Sequence, residues 1–148
     1  MSISSTDLHE AANARADVLR IDLSRSPRFD RLTEDEFAEI YNGYGPDSWP
    51  QSIRAAVTWI YRNFEPLAAV HDVDFHFSDG SKKGWLEATS RWAVNISLML
   101  DDRYPISRWW TLPVRAYAWA KLRASWRALQ IGSWPAWTNA AIRSTDDG

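Results

Sequence analysis

The chain has 148 residues, with 17 Lys and Arg, 19 Asp and Glu, ten Trp and no Cys. That length builds one domain of ordinary size, and 45% hydrophobic with 24% charged residues excludes a mostly disordered chain. The lack of cysteine excludes a disulfide scaffold, a thiol nucleophile and a Cys-ligated metal, and a net charge of -2 argues against a nucleic-acid-coating protein.

In chain order, residues 1–30 read as an N-terminal arm with one weak helix over about 6–19, carried by Leu8, Val18 and Leu19 and ended near Ser24 to Pro27. The arm carries acids before any base and does not read as a secretory signal, so synthesis in the cytoplasm is expected. Residues 31–148 read as a single helical domain. Thr33-Glu34-Asp35-Glu36 is a capping box that opens a short helix through Tyr41. Asn42-Gly43-Tyr44-Gly45-Pro46 breaks it, because two glycines permit positive φ. Ser48-Trp49-Pro50-Gln51 caps a second helix, over 50–64, with Ile53, Val57, Ile60, Tyr61 and Phe64 at helical spacing.

Pro66 cannot continue that helix but can open the next, over 66–77, which carries Leu67, Val70, His71, Asp74 and Phe75. Ser78-Asp79-Gly80 turns the chain. From Ser81 to Leu100, Trp85, Ala88, Trp92, Ile96 and Leu100 recur every three or four residues and mark the longest amphipathic helix, closed by Asp101, Asp102 and Pro105. Pro113 opens a helix to about 131 with a stripe of Trp119, Leu122, Trp126 and Leu129. Gly132 stops it, and Ser133-Trp134-Pro135 caps a last helix to about Ile142. Strand signals are nearly absent and no run reaches the ~20 apolar residues of a membrane span, so the expected class is all-α without a transmembrane segment.

Charge is distributed unevenly. Residues 1–50 hold ten acids and five bases, whereas residues 103–145 hold seven bases, no acid and six of the ten Trp. A basic, Trp-rich third suits an anionic membrane surface, where indoles sit at headgroup level, and also stacking on single-stranded nucleic acid. A third reading buries the Trp in the core and pairs the Arg with the acidic third of this chain or of a second copy.

Among groups able to carry chemistry, His71-Asp72-Val73-Asp74-Phe75-His76 concentrates two imidazoles and two carboxylates in six residues. On a helix these point to at least two sides, which argues against one metal chelated by the whole set. No Gly-x-Ser-x-Gly elbow and no phosphate-cradling glycine loop is present.

The order Asn42-Gly43-Tyr44-Gly45-Pro46, an intervening helix, Phe64-Glu65-Pro66 running on to His71-Asp72-x-x-Phe75, a turn and a second long helix resembles the phospholipase A2 superfamily, in the small, cysteine-free form that bacteriophages and prophages encode. The resemblance covers about residues 41–100. It implies an antiparallel helix pair, 66–77 with 81–100, flanked by 50–64 and 113–131. It also implies Ca2+-dependent hydrolysis of bacterial glycerophospholipid esters. His71 would be the general base, a task suited to an imidazole near neutral pH. Asp72 and the carbonyls of Gly43, Tyr44 and Gly45 would hold Ca2+, a cation that accepts loop carbonyls. Phe75 stands where the family usually has Tyr, and Asn95 matches a supporting Asn.

Thr89, in Ala88-Thr89-Ser90-Arg91-Trp92-Ala93-Val94-Asn95, stands where the family has the Asp that orients the imidazole. Loss of such a carboxylate in a related triad costs about 10⁴ in turnover, so activity is left open. The alternative is a non-catalytic phage virion or assembly protein that uses the same fold as a protein–protein interaction module. Expected partners are therefore bacterial phospholipid, neighbouring phage subunits or a second copy, and not nucleic acid.

Overall fold

A computed structural model describes residues 5–41 and 62–146. Among them the protein is all-α, with six α-helices and no strand. They are α1 (Ser5–Ile21), α2 (Glu34–Ile40), α3 (Glu65–His76), α4 (Lys82–Arg103), α5 (Leu112–Gly132) and α6 (Trp134–Asp146), with 3-10 turns at Phe29–Arg31, Arg62–Phe64 and Trp109–Thr111. The glycine loop and nearly all of the helix expected over 50–64 lie outside the described residues. Among the described residues no helix is long and apolar enough to cross a membrane. Two compact units divide the chain within α3, Met1–Val73 and Asp74–Gly148.

In the first unit α1 packs on α2. The expected helix of the arm is longer than its few large apolar residues suggest, because Ala11 and Ala14 join Val18 in the buried face. It ends at Asp22, which takes the left-handed conformation at φ 57°. The Leu23 amide donates to the Val18 carbonyl at 3.0 Å and the Asp22 amide to that of Leu19 at 3.2 Å, the paired bonds of a Schellman stop. Arg25 ties this corner down through Asp30 at 2.7 Å, Asp22 at 3.2 Å and the Leu23 carbonyl at 3.0 Å.

The capping box forms as expected. Thr33 Oγ1 accepts from the Glu36 amide at 3.2 Å, and the Glu36 carboxylate accepts from the Thr33 amide at 2.8 Å. Phe29 and Phe37, both fully buried, meet edge to face at 5.3 Å, and Tyr41 stacks on Phe37 at 5.9 Å. Each buried Phe contributes about 1.5–3 kcal/mol of transfer free energy. Leu67, Ala68, Ala69, Val70 and Val73 are buried along α3, and Pro66 falls in its first turn, where a missing N–H costs nothing.

The second unit is built on α4 and α5. Arg115 near the start of α5 bonds Asp101 at 2.7 Å near the end of α4, Trp126 Nε1 donates to the Thr89 carbonyl at 3.1 Å, and Trp85 Nε1 donates to Ser133 Oγ at 2.9 Å. These bonds run in opposite chain directions, so the two helices are antiparallel. The buried face of α4 contains the expected Ala88, Trp92, Ile96 and Leu100, widened by Thr89, Asn95 and Met99. Its N-cap is Ser81, whose hydroxyl accepts from the Gly84 amide at 2.9 Å.

Gly80 turns the chain at φ 68°, and α6 closes over that turn. Trp137 is buried, donates through Nε1 to the Ser81 carbonyl at 3.0 Å and gives its own carbonyl to Ser78 Oγ at 2.6 Å. Of the eight Trp in the described residues, Trp92 and Trp137 are buried, Trp85 and Trp126 half-buried, and Trp109, Trp110, Trp119 and Trp134 exposed. The stripe expected on α5 is thus only partly a core: Leu122 is fully buried, while Trp119 faces outward with the Arg123 guanidinium over its ring at 4.8 Å.

Candidate functional site

His71 and Asp72 sit two turns into α3, where the run of small and aliphatic residues from Leu67 to Val70 forms its buried side. Both side chains are mostly buried, and the imidazole Nε2 is fully buried. Adjacent helical positions diverge by about 100°, yet His71 Nδ1 approaches an Asp72 carboxylate oxygen to 3.8 Å. That is longer than a hydrogen bond.

Tyr41, the last described residue before the glycine loop, belongs to the same unit. Burial pushes its phenol well above the ordinary range, and the negative charges of Glu65, Asp72 and Glu10 add to that shift. Asp72 thus adds its negative charge to the surroundings of the Tyr41 phenol. Gly43, Tyr44 and Gly45 lie outside the described residues. Among those described, no three His, Cys, Asp or Glu side chains come together as a metal cluster. Asp72 is thus the one described side chain of the expected Ca2+ ligand set, and a hard cation held by one carboxylate and loop carbonyls remains consistent with it.

No family model, curated protein or solved structure matches the chain.

The remaining expected site residues, Thr89 and Asn95 on α4 and Phe75 near the end of α3, belong to the second unit. Thr89 is fully buried, and its hydroxyl lies 3.0 Å from the Trp85 carbonyl and 3.1 Å from that of Leu86, so its proton is spent inside its own helix. Its oxygen can still accept. Asn95 is fully buried on the same helix. Phe75 packs its ring edge to face on Trp137 at 5.1 Å. This apolar contact accounts for Phe75 without a hydroxyl.

Two residues carry more of this region than the sequence suggests. Arg91 holds Asp74 with a two-pronged bridge, Nε to Oδ2 at 2.8 Å and Nη2 to Oδ1 at 3.0 Å, and the Asp74 side chain is almost completely buried. In sequence Arg91 is one of several cations able to reach that carboxylate. Tyr41 has one legible signal, its place next to Asn42-Gly43, which gives no hint of the carboxylates around it.

Proposed function

We propose that the protein is a phage-derived phospholipase A2-like hydrolase, in which α3 and α4 form the family's antiparallel pair and bacterial glycerophospholipid esters are the substrate. The observation that carries this reading is the mostly buried His71–Asp72 pair on α3, with the imidazole Nδ1 3.8 Å from the carboxylate. In it, His71 takes a proton from the attacking water, and the resemblance assigns the cation to Asp72 with Gly43, Tyr44 and Gly45, which would hold it. When bound, Ca2+ would polarise the ester carbonyl as a Lewis acid. The resemblance gives Thr89, Asn95 and Phe75 supporting roles.

A second reading keeps the fold without the activity, as a virion or assembly protein made in the host cytoplasm that joins phage subunits or copies of itself. One observation favours it: the Thr89 hydroxyl donates to its own helix, and no carboxylate stands in the place where the family has its orienting Asp.

Thermal unfolding with and without Ca2+ tests the cation half of the proposal. Millimolar Ca2+ should raise the melting temperature of the wild type, since a ligand that binds only the folded state stabilises it by mass action. Asp72→Asn should abolish that rise. An unchanged melting temperature in the wild type would remove the Ca2+ site and leave the second reading.

A further inference from the structure

The end of the α4–α5 hairpin, residues 104–114, exposes several large apolar side chains around Ser107 and Arg108. Trp109 is 73% exposed, Ile106 65% and Trp110 62%, and Leu112 and Val114 stand exposed on opposite sides of the first turn of α5. The two indoles meet edge to face at 6.1 Å. This tip is held in shape. Arg115 ties it to α4 through the Tyr104 carbonyl at 2.8 Å and Asp101 at 2.7 Å, and Thr111 Oγ1 donates to the Arg108 carbonyl at 2.7 Å. Its backbone is also partnered internally, with the Arg108 amide bonded to the Pro105 carbonyl at 3.0 Å and the Thr111 amide to that of Arg108 at 2.8 Å. Each amide partnered in this way enters a low-dielectric layer without the desolvation cost of an open N–H.

We infer that this tip is an interfacial anchor that inserts Trp109, Trp110 and Ile106 into the headgroup layer of an anionic phospholipid bilayer. Three observations select that occupant. From Asp101 to Arg115 the tip carries Arg103, Arg108 and Arg115 against Asp101 and Asp102, with Asp101 bonded to Arg115 and Asp102 3.9 Å from Arg103 Nε, so its net charge is positive and its complement is an anion. A two-fold contact between two such ends would set like net charges together, which argues against a second copy. Single-stranded nucleic acid offers ring faces to the indoles but nothing to the aliphatic Ile106, Leu112 and Val114, whereas acyl chains accept both. The inference goes beyond the hydrolase reading and uses neither His71 nor Asp72.

Flotation of the full chain with vesicles of ether-linked phosphatidylglycerol and phosphatidylethanolamine, in the presence of chelator, isolates the tip from any ester chemistry. The wild type should float with these vesicles and much less with ether-linked phosphatidylcholine. The double variant Trp109→Ser/Trp110→Ser should lose at least tenfold in vesicle affinity at unchanged helicity. Ile131→Ser should bind as the wild type does, because that residue is equally apolar and exposed but lies some 28 Å along α5. Equal losses in both variants, no flotation of the wild type, or a wild-type dimer that the double variant dissolves without any vesicle binding would each overturn the inference. So would tighter binding to single-stranded oligonucleotide than to the anionic vesicles.

Discussion

Asp74 and Arg91 show how much one buried ion pair commits the chain to its packing. With the carboxylate removed from water and both oxygens taken by one guanidinium, the pair tolerates loss of neither member. Arg91→Ala should cost about 3–5 kcal/mol in urea unfolding, because it strands a buried charge. A cost under 1 kcal/mol would show that the bridge is solvent-relaxed. Tyr41 makes a prediction in pH. Its folded-state pKa is raised above the ordinary phenol value of 10.0, so the folded state holds that proton more tightly than the unfolded one. The resulting stability is complete below the unfolded value and declines as pH climbs above about 10 toward the folded value. Tyr41→Phe should therefore lose less stability than the wild type between neutral pH and strongly alkaline pH, measured by denaturant midpoints. Identical slopes would mean that the phenol is hydrated.

At the scale of elements, Gly84 illustrates a helix position where the usual propensity rule reverses. In an exposed helix interior Gly→Ala gains about 1 kcal/mol. Here a methyl group on Gly84 would meet Asp79 Oδ1 at 2.5 Å and the Trp137 ring at 2.9 Å. Neither gives way easily. Asp79 is bonded to the Ser81 amide at 2.9 Å and hydroxyl at 2.8 Å, and the indole is fixed by Ser81 and Phe75. Gly84→Ala should lower stability by about 1–3 kcal/mol through overpacking, read from the denaturant midpoint, and a gain would show that α6 is displaced at little cost.

Element boundaries that rest on local chemistry are legible in the sequence: the Thr33–Glu36 box, the turn at Ser78-Asp79-Gly80, the stop before Pro105 and the end at Gly132. The stop at Asp22 is not, because a left-handed cap is usually announced by Gly or Asn and here falls to an Asp. The fate of the Trp is equally hidden. Spacing places Trp119 and Trp126 on one stripe, but only the latter finds a carbonyl on α4, and the former is left to Arg123.

Across the whole molecule, the helical class follows from periodicity and caps, since amphipathic repeats of three and four residues admit no other regular structure. The His71-Asp72 pair was legible as an imidazole and a carboxylate side by side. Their approach to 3.8 Å and the reach of Asp72 toward Tyr41 were not, because both depend on how side chains bend off the helix and on which elements fold together. The pair is proposed to perform ester hydrolysis, and mixed micelles of phosphatidylglycerol and detergent, assayed for released fatty acid, test it directly. Turnover with Ca2+ should be lost on chelation and should fall by at least a hundredfold in His71→Ala at unchanged helicity. No release by the wild type, or release that His71→Ala and chelator leave intact, would contradict it.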